Sequence, residues 1–235
     1  MIDFHSHILP NVDDGSKSYE ETKNLLVEAR NIGINKIVST SHYALKCFEV
    51  PEYKREKIIQ ELSEEENVPE IILGSEIFLT YNIIELLKEY KASTINKTNY
   101  ILFELPLREQ FNNLNNMINI LKENDYRLIL AHPERYSLVH KNFDLLYQLR
   151  EKGILFQCNY GSILGMYGLS AQMTIKKMLK NNLVDLLGSD VHKEKTIYPQ
   201  IPKAINKISK LVSEEKLNDL IENNAEKILK GEDIY

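Results

Sequence analysis

The sequence predicts an α/β fold: a (β/α) barrel of parallel strands with seven recognisable strands, one short of the usual eight. A doubly wound open sheet is the alternative. Three observations predict it. Seven short apolar runs alternate with longer stretches of helical period. The runs are near-continuously apolar, as strands of a parallel sheet covered on both faces are. No internal repeat, low-complexity tract or linker divides the 235 residues, so 1–235 reads as a single domain long enough for one large core.

In chain order the runs are "MIDFHSHI", "KIVSTSHY", "EIILGSEIF", "YILFELP", "LILAHPE", "GILFQCNY" and "LVDLLGSD". Between the first two, Leu25, Leu26, Ala29 and Ile32 recur on one helical face. Ser18 with Glu21 resembles a capping box ahead of that helix, and Gly33 is well placed to stop it. Leu114, Met117, Ile118 and Leu121 mark a second amphipathic helix after "YILFELP". A final helical segment at about 213–230 has no strand after it.

Composition excludes several classes. Apolar residues at 43% and charged residues at 27% describe a globular chain. With 29 Lys+Arg against 34 Asp+Glu the net charge is −5, a poor balance for wrapping nucleic acid. Asp3, His5 and His7 interrupt the N-terminal apolar run, so no signal peptide is expected, and no run reaches transmembrane length. Cys47 and Cys158 form no CxxC pair and suggest no disulfide framework. The expected location is cytoplasmic.

The informative residues sit at the ends of the runs. His5 and His7 end the first, and period-two geometry points both imidazoles to one side. His42 ends the second, Glu76 the third, Glu104 the fourth and His132 the fifth, while Asp190 and His192 end the seventh. The sixth ends in Asn159, polar but a weak ligand. In parallel α/β folds the carboxyl ends of the strands form the functional face. Six of seven strand ends, and five of the six histidines, thus present metal-ligand chemistry on that face.

With Asp14 of "VDDGS" added, five imidazoles and four carboxylates exceed what one ion uses, so two or three ions are expected. Mixed N/O donors without thiolate favour Mn²⁺, Fe or Zn²⁺ over Ca²⁺ or Cu(I). Asp13 reads as the turn residue. Neither cysteine has an arginine six positions later, and no D-x-D, P-loop or G-x-S-x-G motif is present. What remains is multi-metal hydrolysis, in which a metal acidifies a water for attack on phosphorus and the cluster neutralises the developing charge. Arg135, three residues past His132, is suited to a bidentate phosphate contact. His140 has no strand-end context, and "HKEKTIYP" places Lys193 and Lys195 near the expected mouth.

"TSHY", "GSE", "FELP", "AHPERY", "QCNYGS" and "GSDVH" follow the N-terminal H-x-H in that order. The series resembles the PHP (polymerase and histidinol phosphatase) superfamily, from Met1 to about His192. Within it, the chain resembles the bacterial manganese-dependent protein-tyrosine phosphatases of capsule and exopolysaccharide operons. The resemblance implies a distorted (β/α)7 TIM-like barrel with a trinuclear metal site at the carboxyl ends of the strands. It implies as ligands His5, His7, Asp14, His42, Glu76, Glu104, His132, Asp190 and His192, with Asp190 in the catalytic centre and Arg135 binding phosphate. The implied substrate is the phosphotyrosine tail of a cognate membrane-associated tyrosine kinase. Relatives carry a second anion-binding arginine where this chain reads Thr196-Ile197-Tyr198-Pro199, so Lys193 or Lys195 is the candidate substitute. Two other functions compete: a small-molecule phosphomonoesterase of histidinol-phosphate phosphatase type, and a non-catalytic partner of the polysaccharide machinery.

Overall fold

The computed structural model describes residues 1–108, 111 and 113–235. Its strands are β1 (Ile2–Ser6), β2 (Lys36–Ser39), β3 (His42–Tyr43), β4 (Glu70–Leu73), β5 (Glu76–Phe78), β6 (Tyr100–Glu104), β7 (Arg127–Ala131), β8 (Leu155–Asn159) and β9 (Leu186–Gly188). Every pairing between these strands is parallel, in the orders β1-β2-β4 and β3-β5-β6-β7-β8-β9. A parallel bridge joins Ser6 to Val191, and Asp190 N–H donates to His5 O at 2.8 Å. The first strand therefore meets the segment after the last, and the parallel strands form a curled sheet in a mixed α/β fold.

Two expected strands are each broken in the middle. "KIVSTSHY" divides into β2 and β3, and "EIILGSEIF" into β4 and β5. The breaks fall where side chains take over backbone pairing. Thr40 Oγ1 accepts from Ser6 N–H at 3.1 Å. The buried Arg55 donates to Gly74 O at 2.9 Å and to Ser75 Oγ at 2.6 Å, which fixes the second break. Each break restarts a strand at an expected ligand, and His42 and Glu76 then stand in register opposite each other.

One apolar cluster fills the interior of the curl. It takes Phe4, Val38, Ile72, Leu102, Ile129, Leu155 and Leu186 from β1, β2, β4, β6, β7, β8 and β9. Ala225, Ile228 and Leu229 of the last helix close it from below, which is the task of the expected C-terminal helical segment. That segment runs as Glu214–Asn218 and Asn224–Leu229 joined by a wider π-turn at Asp219–Asn223. A larger cluster, including Leu25, Leu26, Ala29, Met117, Ile118 and Leu121, packs the outer helices on the sheet, as their periodicity predicts. Ser18 Oγ accepts from Glu21 N–H at 3.1 Å, but Glu21 returns its bond to Lys17 N–H rather than to Ser18. No described helix is long and apolar enough to cross a membrane.

Candidate metal centre

Pleat alternation carries Glu104 up from the apolar layer, two residues beyond Leu102 on β6. His42 and Glu76 lie four residues beyond Val38 and Ile72, across the two strand breaks, and Asp190 lies four beyond Leu186, past the end of β9. Two strands reach the site otherwise. β1 shifts register by one residue between Asp3 and Ser6, so Phe4 and its neighbour His5 both face inward. His132 adopts a left-handed backbone at φ 35°, as does Asp190 at φ 55°, conformations that cost non-glycine residues and cluster at functional sites. Two glycines permit the close approaches. A Cβ at Gly188 would lie 2.5 Å from His5 Cβ, and one at Gly15 would lie 2.1 Å from His7 O.

All nine expected ligands converge. Their donor atoms form four overlapping groups, each within 4.8 Å: His7, Asp14, His42 and His192; His5, His7 and Asp190; His5, Glu76 and His132; His42, Glu76 and Glu104. Glu76 is the hub. Its Oε2 lies 3.2 Å from His5 Nε2, 3.3 Å from His7 Nε2 and 3.1 Å from His42 Nδ1, and its Oε1 lies 2.6 Å from His132 Nε2. Asp14 is the outermost, 55% exposed at its side chain and 3.3 Å from His192 Nε2.

The far sides of the two N-terminal histidines settle their proton positions. His5 Nδ1 meets Gln157 Oε1 at 2.7 Å, and the Gln157 amide donates to Cys158 O and Asn159 Oδ1. His7 Nδ1 meets Asp13 Oδ2 at 2.7 Å. An amide oxygen and a carboxylate only accept, so each Nδ1 carries the proton. In the neutral rings both Nε2 lone pairs then face each other across 3.1 Å, with Glu76 and Asp190 beside them. Lone pairs and carboxylates aimed at one point suit a cation, and a carboxylate behind a ligating imidazole is the usual support in such sites. The donor set therefore fits divalent transition-metal ions.

Charge pairing offsets the cost of burying these groups. Burial would raise the Glu76 carboxyl, but the His5, His132 and His42 imidazoles outweigh it and hold it well below its ordinary value. Burial likewise opposes ionisation of Asp190, which His7, His5 and His132 hold down. The imidazoles respond in kind. Burial would lower His7, yet Asp13, Asp190 and Glu76 hold it well above the ordinary value, and against the same cost Glu76 with Asp190 raises His5.

Arg135 lies in the short turn Pro133–Arg135 and donates to Asp190 Oδ2 at 2.7 Å, with its guanidinium 4.3 Å over the Tyr167 ring. Its neighbour Glu134 turns the other way, accepting from Asn159 N–H and Ser162 Oγ. Asn159 also donates to Asp190 Oδ2 at 2.7 Å. His140 stays outside the cluster, against Glu134 O. Cys47 is exposed and Cys158 buried, both as free thiols. Lys195 pairs with Glu194.

One sequence reading is corrected. Asp13 is more than a turn residue: it is buried and receives His7 Nδ1–H, His42 N–H and Gly15 N–H at 2.7, 2.7 and 2.9 Å. Gln157 and Tyr167 also escaped the sequence reading. The available signal for Gln157 was a lone polar residue inside the apolar run "GILFQCNY". Tyr167 sits outside any strand and left none.

A family model described as capsular polysaccharide synthesis, CpsB/CapC, matches residues 1–230. CapC of Staphylococcus aureus is 36% identical over 199 residues, covering 82% of this chain and 77% of that one. The tyrosine-protein phosphatase CpsB of Streptococcus pneumoniae is 31% identical over 238 residues, covering 97% of this chain and 98% of that one. Among solved structures, the crystal structures of YwqE from Bacillus subtilis and CpsB from Streptococcus pneumoniae are described as those of unique metal-dependent tyrosine phosphatases. A chain from that work aligns with a TM-score of 0.91 at 28% identity, over 100% of this chain and 96% of that one.

Proposed function

Because this chain belongs to the CpsB/CapC family of capsular polysaccharide synthesis, we propose that it is a metal-dependent tyrosine phosphatase of that process. The observation that carries the reading is the facing pair of His5 and His7 Nε2 atoms, 3.1 Å apart within a ring of carboxylates. The substrate we assign is the phosphotyrosine tail of a cognate membrane-associated tyrosine kinase, met in the cytoplasm. The curled parallel sheet, joined at Ser6 and Val191, supports reading the fold as a distorted (β/α)7 barrel.

Two to three ions, Mn²⁺ by preference, would be held by His5, His7, Asp14, His42, Glu76, Glu104, His132, Asp190 and His192. When bound they supply Lewis acidity, which lowers the pKa of water and offsets charge developing on the phosphoryl group. Gln157 and Asp13 keep the proton of each N-terminal imidazole on the far nitrogen, so Nε2 stays a donor to metal. Asp190 orients Arg135 while also facing the metal ligands. Among the described residues Asp190 is the only hydrogen-bond acceptor of the Arg135 guanidinium, which leaves the rest of its fork for phosphoryl oxygens.

Protein purified without chelator should contain two to three transition-metal equivalents per chain. It should hydrolyse a phosphotyrosyl kinase-tail peptide with kcat/KM far above that on histidinol phosphate. Metal-replete protein without turnover would sink the enzyme reading, and a preference for histidinol phosphate would replace the substrate.

A further inference from the structure

The mouth of the site is chemically two-sided. Arg135, Tyr167 and Asp190 follow β7, β8 and β9 and bring charge and hydrogen-bonding groups. On the other side β3, β5 and β6 are neighbours in the sheet, so the segments leaving them run side by side. These carry Leu45 and Phe48 after β3, Tyr81 after β5 and Leu107 after β6. Leu45 is 37% exposed, Tyr81 67% and Leu107 37%, while Phe48 is half-buried. Single exposed apolar residues are ordinary, but an arc of them on adjoining segments that leave strands bearing a buried charge cluster suits a ligand site.

Phe48 makes the contact that ties this arc to the chemistry. Its ring lies 5.7 Å from the His42 ring at an interplanar angle of 15°. The chain holds it there with a tight reversal: Ala44 N–H donates to Phe48 O at 3.0 Å, Phe48 N–H donates to Ala44 O at 2.8 Å, and Lys46 turns at φ 66°. Tyr81 is fixed by Asn113, whose amide donates to its hydroxyl at 2.9 Å.

We propose that this arc is a subsite for the aryl group of the substrate, with Phe48 as the ring that meets it. The assignment rests on the phosphatase reading above and adds what that reading lacks, a reason for choosing an aromatic phosphomonoester over an alkyl one. Such a substrate has a dianion at one end and an apolar ring at the other. The dianion faces Arg135 and the metal ligands, and the ring lies over the apolar arc. Offset or edge contact with Phe48 rewards an aromatic leaving group and gives an alkyl group little.

The test compares two non-hydrolysable probes, phenylphosphonate and methylphosphonate, as competitive inhibitors of the metal-loaded protein. Wild type should bind the phenyl probe more tightly, and Phe48→Ala should reduce that preference about five- to tenfold. Inhibition by inorganic phosphate and the metal content should not change, and Phe48→Tyr should restore the preference. A Phe48→Ala protein whose two inhibition constants rise together would show that the ring only supports His42, which overturns the proposal, as would an unchanged ratio. Should that variant lose metal, Tyr81→Ala carries the same comparison, with about a twofold loss of preference expected and an unchanged ratio decisive against the subsite. Failure of the phosphatase reading looks different: wild type turns over no aryl phosphate, whatever the ratio of inhibition constants.

Discussion

The lower and upper layers of the curled sheet's interior have opposite chemistry. Below lie Phe4, Val38, Ile72, Leu102, Ile129, Leu155 and Leu186, sealed by Ile228 and Leu229. One or two pleats higher lie His42, Glu76, Glu104 and Asp190, with His5, His7 and His132 brought in by a bulge and a left-handed residue. Burial stabilises the lower layer directly. In the upper layer burial is a cost, which imidazole–carboxylate pairing offsets in the metal-free protein and metal would offset better. The difference teaches where stability and function reside in this fold, and each layer can be broken separately.

The largest effect belongs to the upper layer. Asp190→Ala removes a carboxylate that faces His5 and His7 and holds Arg135. We expect kcat/KM on a phosphotyrosyl peptide to fall by roughly 10³-fold or more, about 4 kcal/mol of transition-state stabilisation, with the circular dichroism spectrum unchanged. His5→Ala should behave alike. Near-native rates in either would place the chemistry elsewhere. The reverse lesion is Leu102→Ala, which should cost about 3 kcal/mol of unfolding free energy by cavity formation. The variant that remains folded at low temperature should keep wild-type kcat; a selective loss of kcat would show that the layers are coupled.

How much of this was readable from sequence follows the same division. An expected ligand on a strand of unbroken period two was readable, because pleat alternation alone puts Glu104 above Leu102 on β6. His5 and His7 were readable as a pair but not in their alignment with Phe4, since the register shift depends on pairing with β2. The two strand breaks were hidden for a related reason. Arg55 reaches Gly74 and Ser75 from a helix about 20 residues earlier, and no local propensity reports such a contact. Asp13 was misread because Asp-Gly is a sound turn signal and the turn exists; its second task becomes visible only once His7 and His42 arrive against it.

That second task gives a smaller and sharper break within the upper layer. Asp13→Asn preserves size and turn chemistry but lets an amide nitrogen face His7 Nδ1, which frees the ring to move its proton to Nε2. Metal affinity should fall roughly 10- to 100-fold, as for other supports of ligating histidines, while the thermal stability of the chelated protein changes little. Equal affinity in a metal titration would return Asp13 to a turn residue.

The smallest effect is a slope. In chelated protein the carboxyls of Asp13, Glu76 and Asp190 are held below their ordinary values of 3.8, 4.5 and 3.8, so their contribution is present above those values and is lost as pH falls through the depressed ones. His5 and His7 are held above their ordinary 6.5, so their contribution is complete below 6.5 and is lost as pH rises through the elevated values. Chelated protein should therefore be most stable between roughly pH 5 and 6.5 and lose up to about 1.4 kcal/mol per pH unit per imidazole above that window. Metal-loaded protein needs neutral imidazoles, so metal binding strengthens as pH rises and its stability should climb over the same interval. Denaturant melts of both forms at pH 6 and 8 would show opposite slopes if the upper layer is a metal site. Parallel slopes would mean that imidazole–carboxylate pairing, rather than metal, is what these strand ends are built to hold.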